Sequence, residues 1–205
     1  MNPFESGIRK VIPAVLVYGR LEDRVLMIHR HPYLNQSGDL DQAPNQNGDF
    51  HHGKWNGLGG KCELNESPLD AACREFQEES GVVVPPERFR SLGVLQFPNF
   101  KPHKQEDWIV FIFTVQLSVS DLTPALGSVF LTLSEPSTSS PGVVVSNEGT
   151  LHWIAAQDLQ SLNLWPGDRH FIPYILRSEP FVGTIWYDHL EVSKHWIQSL
   201  GLTTD

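Results

Sequence analysis

Cysteine is nearly absent: Cys62 and Cys73 are the only two in 205 residues. Two cysteines build no disulfide scaffold, and the sequence predicts a chain of a reducing compartment, the cytoplasm. Positive charge is scarce too. Lys and Arg number 15 against 24 Asp and Glu, a formal net charge of -9, and no basic run offsets it, which argues against duplex nucleic acid as a partner. A small phosphorylated ligand stays open, because a metal ion can supply the missing positive charge. Long apolar runs are missing as well. The longest are strand-sized, too short to cross a bilayer, so no membrane partner is expected. The amino terminus, MNPFESGIRK, has neither the apolar core nor the cleavage site of a signal peptide. No internal repeat is present. The expectation is a single domain over 1–205, monomer or homodimer.

Strand-rich runs organise what is there. VIPAVLVY (Val11–Tyr18) and RVLMIH (Arg24–His29) predict an early hairpin. Pro13 predicts that the first strand starts at an edge or carries an irregularity, since proline donates nothing to a ladder. LGVLQF, DWIVFIFTVQL, LHWI and FVGTIWY supply further strands. Two stretches break the pattern. Residues 33–52 have no hydrophobic period and many turn formers, and residues 122–147 are rich in Pro and Ser around a short β-prone patch. Both read as insertions, the second as a hairpin excursion. Apolar residues at Phe171, Ile172, Ile175 and Leu176 have helical spacing. With a second helix after Ser67, the pattern is an α/β chain, a mixed sheet covered by helices.

That second helix concentrates acid. Ser67, Pro68 and Asp70 form a helix start, and Gly81 a stop. Leu69, Ala72, Cys73 and Phe76 make one apolar face, and Glu75, Glu78 and Glu79 rise from the opposite side. Like charges at i, i+4 repel, and the helix dipole disfavours anions near its carboxyl end. A divalent cation reverses both penalties, since carboxylate oxygens, backbone carbonyls and water suit Mg²⁺. The alternative is a merely solvated acidic face.

Gly60, five residues, Glu66, seven residues and then REFQEESGV (Arg74–Val82) resemble the Nudix box. Phe76 stands where that family usually has an aliphatic residue, which keeps the anchor apolar. The resemblance implies an α/β/α sandwich and hydrolysis of a diphosphate linked to another moiety. It implies that Glu75, Glu78, Glu79 and the Gly59 carbonyl hold Mg²⁺ or Mn²⁺, and that Glu66 pairs with Arg74 to keep the arginine off the metal. Glu148 stands where many members carry a further acid, and either Glu75 or Glu79 is a candidate base. Such ions neutralise charge on phosphoryl oxygens and activate water.

The surroundings point to a nucleotide. GKWNGLGGK, LNLWPGDRHFIPYIL and PFVGTIWY look like segments of the MutT-type purine triphosphatases that sanitise oxidised nucleotides. Trp165 suits stacking on a base, and Asn56 and Asp168 suit its edge. The alternatives are a core role for Trp165, a turn role for Asn56 and helix capping for Asp168. Arg30 is a candidate for a phosphate tail, and Trp55 is assigned to packing. The vertebrate-type enzymes carry two consecutive acids after Trp-Pro, whereas this chain has Gly167 and then Asp168. The expected activity converts a purine nucleoside triphosphate, with 8-oxo-dGTP a candidate, to the monophosphate and pyrophosphate. A nucleotide sugar is the rival substrate. An inactive binding module would have a damaged acid set, and this one is complete. His29, His31, His51 and His52 lack the spacing of a zinc site.

Overall fold

A computed structural model of the chain describes residues 9–30, 53–126, 143–146, 149–189 and 191–201. The expected hairpin forms from β1 (Lys10–Leu21) and β2 (Arg24–Arg30), which pair antiparallel at their turn end. Then come β3 (Trp55–Asn56), α1 (Pro68–Ser80), β4 (Phe89–Lys101) and β5 (Glu106–Gln116). They are followed by α2 (Val119–Leu126), β6 (Val143–Ser146), β7 (Gly149–Ala155), α3 (Asp168–Leu176), β8 (Phe181–Asp188) and β9 (Glu191–Ser199). The strands join one sheet in the order β6-β7-β2-β1-β5-β4-β8-β9, with β3 on β2. β1 with β5 and β4 with β8 run parallel, and the other pairs antiparallel.

Strand alternation divides the core in two. Ala14 and Tyr18 of β1 share one face with Val25 and Met27 of β2 and with Val110 and Ile112 of β5. Val15 and Val17 share the other with Leu26, Ile28, Phe113 and Val115. Burial on both faces explains why β5 reads as a nearly unbroken apolar run. α3 covers the first face with Phe171, Ile172 and Ile175. α1 covers the second with Ala71, Ala72 and Phe76. The result is the expected α/β/α sandwich, and among the described residues no helix is long and apolar enough to cross a membrane.

Three features bear on the sequence reading. β1 lies inside the strand order, but it pairs with β2 only at Arg20 and Leu21, so at Pro13 it has β5 alone as a strand neighbour and the expected start at an edge holds locally. Val15 and Val17 donate their N–H groups to Gly60 and Leu58, at 2.8 and 2.6 Å. Pro13 has the same parity, so its missing donor faces this loop and leaves the β5 ladder intact. Second, residues 122–147 contribute the end of α2 and then β6, paired with β7; the stretch between lies outside the described residues, as does the expected insertion at 33–52. Third, the sheet continues past β8 into β9, whose mostly exposed residues carry no strong apolar alternation.

Candidate active site

β1 and β2 pair only next to their turn. The segment from Gly57 to Cys62 fills the gap where they splay, bonding along β1 from Val17 to Pro13. Two of its three glycines, Gly59 and Gly60, are there for space. Gly59 has φ +148° and lies so close to the Val15 carbonyl that a Cβ would overlap it, while a Cβ on Gly60 would overlap the Glu75 carboxylate. α1 delivers its acids to this loop. Its start is capped as expected, with Ser67 Oγ accepting the Asp70 N–H at 3.2 Å, and its end is Gly81 at φ 70°, donating to the Gln77 carbonyl at 2.7 Å.

The three glutamates do not share one solvated face. Glu79 is buried; its Oε2 accepts the Gly59 N–H at 2.7 Å and its Oε1 meets Arg30 Nη2 at 3.4 Å. Arg30 is thereby a partner of the acid at this site. Glu75 lies against Gly60, and Glu78 is largely exposed. Arg74 forms the expected two-point pair with Glu66, Nε to Oε1 at 2.8 Å and Nη2 to Oε2 at 3.0 Å. It also reaches the others: Nη1 donates to Glu75 at 2.8 Å and to Glu78 at 3.1 Å. These bonds, that to Glu66 foremost, hold the guanidinium pKa above its ordinary value, and the same bond keeps Glu66 below the usual carboxylate range. As arranged, no three His, Cys, Asp or Glu side chains among the described residues stand together around one ion position. The donor set nonetheless fits a hard divalent cation. The carboxylates of Glu75 and Glu79 converge on Gly60 and Gly59, where the loop has no room for a side chain, and one cationic nitrogen already lies between Glu75 and Glu78. Glu148 lies outside the described residues.

Three residues before Gly59 the same segment enters a second region. Asn56 is half-buried, and its Oδ1 finds no hydrogen-bond partner among the described residues. Gly57 lies on the phenol end of Tyr18, where a Cβ would stand 2.9 Å from Cζ. Tyr18 is fully buried, and its hydroxyl is likewise unpartnered. Asp168 is buried with Oδ2 unpartnered, and burial pushes its pKa to about 7 against the opposing charges of Lys54 and Arg169. Its charge in turn adds to the burial that raises the Tyr18 hydroxyl, so these groups are neighbours. Asp168 does not cap α3: Gly167 holds the cap position without a side-chain bond, and the Asp168 N–H donates to the Trp165 carbonyl at 3.0 Å. Trp165 is buried against Phe100, with Lys54 Nζ 5.7 Å from its ring centre. Trp55 packs as expected, stacked on His29 at 4.5 Å.

Asn56, Asp168 and Trp165 therefore share one partly apolar region adjoining the acid site. Unsatisfied buried polar atoms are rare in folded proteins, and several in one region suit a polar ligand. The sequence reading missed Tyr18 and Lys54 as neighbours of Asp168 and Trp165.

A family model described as the NUDIX domain matches residues 10–175. The chain is 29% identical over 137 residues to an uncharacterized Nudix hydrolase of Bacillus subtilis (strain 168), covering 66% of this chain and 73% of that protein. It is 27% identical over 134 residues to the oxidized purine nucleoside triphosphate hydrolase of Mus musculus, covering 65% and 70%. In fold it is similar to the MutT protein of Bacillus halodurans, with a TM-score of 0.62 at 19% identity over 91% of this chain and 97% of that one.

Proposed function

Because this chain belongs to the Nudix family of hydrolases, we propose that it cleaves a purine nucleoside triphosphate to the monophosphate and pyrophosphate. The observation that carries this reading is the placement of the Glu75 and Glu79 carboxylates against Gly60 and Gly59, beside the region of Asn56, Asp168 and Trp165. Asn56 stands three residues before Gly59, at most about 11 Å of extended chain, which is compatible with one nucleotide reaching from the first to the second. The mouse relative, an oxidized purine nucleoside triphosphate hydrolase, supports the same substrate class, with 8-oxo-dGTP a candidate.

Mg²⁺, with Mn²⁺ as a substitute, would be held by Glu75, Glu78, Glu79 and the Gly59 carbonyl, with Glu148 as a further ligand. When bound, such an ion neutralises charge on the phosphoryl oxygens and lowers the pKa of water. The chain's own residues do the rest. Glu66 anchors the far edge of Arg74, limiting its hold on the acids. Gly59 fixes Glu79 through a backbone N–H, a preorganised contact. Either Glu75 or Glu79 is the candidate to take a proton from an attacking water. Trp165 orients the base, and Asn56 and Asp168 read its edge. A screen that follows release of the nucleoside monophosphate from normal and oxidised nucleoside triphosphates and from nucleotide sugars, with and without Mg²⁺, tests the reading. Preferential cleavage of purine triphosphates is expected, and preferential cleavage of a nucleotide sugar would overturn it.

A further inference from the structure

Gly167 occupies the position where the vertebrate-type enzymes named above carry the first of two acids. Its backbone gives no reason for glycine: φ -66° and ψ -32° suit any residue. The reason is in space. A Cβ there would overlap the hydroxyl of Tyr187, which lies in β8 and accepts the Gly167 N–H at 2.8 Å. The phenol has moved into the volume that a side chain at 167 would fill.

This hydroxyl is well placed to meet a ligand. Tyr187 is only half-buried, and its ring lies 5.7 Å from Phe100, which in turn packs on Trp165. Burial and the nearby Asp168 charge raise its pKa, so it stays a neutral phenol at every ordinary pH. With one lone pair taken by Gly167, it still has a proton to donate. A carboxylate in the same place offers only acceptors. The substitution thus turns one corner of the region from acceptor to donor, while Asn56 Oδ1 and Asp168 Oδ2 remain as acceptors.

We propose that Tyr187 is a specificity-determining residue whose hydroxyl donates to the C6 carbonyl of a 6-oxopurine, in place of the absent acid. The proposal rests on the base-binding role given above to Asn56, Asp168 and Trp165. A 6-oxopurine presents an acceptor at that edge where a 6-aminopurine presents a donor. Sites built to hydrogen-bond a substrate group reject the analogue that lacks it.

The test compares wild type, Gly167→Ala, Tyr187→Phe and Gly167→Ala/Tyr187→Phe as full-length chains. The ratio of kcat/KM for guanine over adenine nucleoside triphosphates is expected to fall about tenfold or more in Tyr187→Phe. An unchanged ratio, with both substrates weakened alike, would overturn the proposal and leave the hydroxyl as a prop for Asp168. The double variant checks the packing argument. With the oxygen gone, the contacts nearest a Cβ at 167 are Tyr187 Cζ at 3.2 Å and Ile185 Cγ2 at 3.3 Å, so Gly167→Ala is expected to destabilise wild type more than Tyr187→Phe. Equal destabilisation in both backgrounds would count against the proposal. Titrating guanosine and adenosine against tryptophan fluorescence separates the two readings. If no triphosphate is cleaved, a guanosine preference that Tyr187→Phe abolishes still upholds Tyr187, and its absence overturns it.

Discussion

Glu79 Oε2 accepts the backbone N–H of Gly59 at 2.7 Å, joining the last turn of α1 to the loop wedged beside β1. Glu79→Gln keeps the shape and an oxygen that can take the same bond, but removes the charge. The variant is expected to retain its thermal midpoint within a few degrees and to lose turnover by about 100-fold or more. Circular-dichroism melts and kcat/KM at saturating Mg²⁺ check the two halves. Near-normal turnover would remove Glu79 from the reaction.

Gly59 and Gly60 are expected to fail differently. In Gly59→Ala the new methyl meets the Val15 carbonyl inside the sheet, at a backbone angle that alanine avoids. Low soluble yield or a midpoint lowered by many degrees follows. In Gly60→Ala the methyl meets the Glu75 carboxylate, the end of a flexible side chain. That variant is expected to fold and to lose activity, as expression yield and activity assayed side by side would show.

Glu66 and Arg74 provide a test through metal demand. Arg74 Nη1 already contacts Glu75 and Glu78, while Glu66 holds its other edge. Glu66→Ala leaves the guanidinium to compete for the acids. The Mg²⁺ concentration giving half the maximal rate is expected to rise about tenfold or more, with the rate at saturation falling less. An unchanged Mg²⁺ titration would show that Glu66 has no such part.

Asp168 sets a pH dependence of stability. Its pKa is raised to about 7 by burial, from about 3.9 in an unfolded chain. The folded state thus binds the extra proton between these values. Its contribution is fully present below about pH 4 and is lost as pH rises to about 7, up to ~4 kcal/mol in all. Asp168→Asn carries no such titration and is expected to be more stable than wild type at pH 8. Thermal midpoints of both proteins from pH 5 to 8 check this: the gap should widen with pH. A gap that stays constant would show that Asp168 ionises as freely in the fold as outside it.

What the sequence revealed was local. Ser67, Pro68 and Gly81 bracket α1 because caps and stops act within a few residues, and period-two runs exposed the buried strands for the same reason. The fate of the acidic face was hidden, because the destination of Glu79 depends on a loop 20 residues earlier folding back along β1. β9 was hidden because an edge strand with few buried residues shows little pattern. Tyr187 looked like the end of a strand, and only its approach to Gly167 gives it meaning. Pro13 was legible because a missing N–H argues against a strand neighbour on one side, and on that side β1 meets a loop.

The parallel pairing of β1 with β5 bears on how the chain is made. It runs from Lys10 opposite Glu106 to Arg20 opposite Gln116, partners 96 positions apart. At bacterial-to-eukaryotic synthesis speeds the ribosome needs roughly 5 to 20 s to bridge that span. Val15, Val17 and Tyr18 emerge early and find their central neighbour late. For that interval β1 is a sticky nascent segment, a target for chaperones that shield unfolded polypeptide.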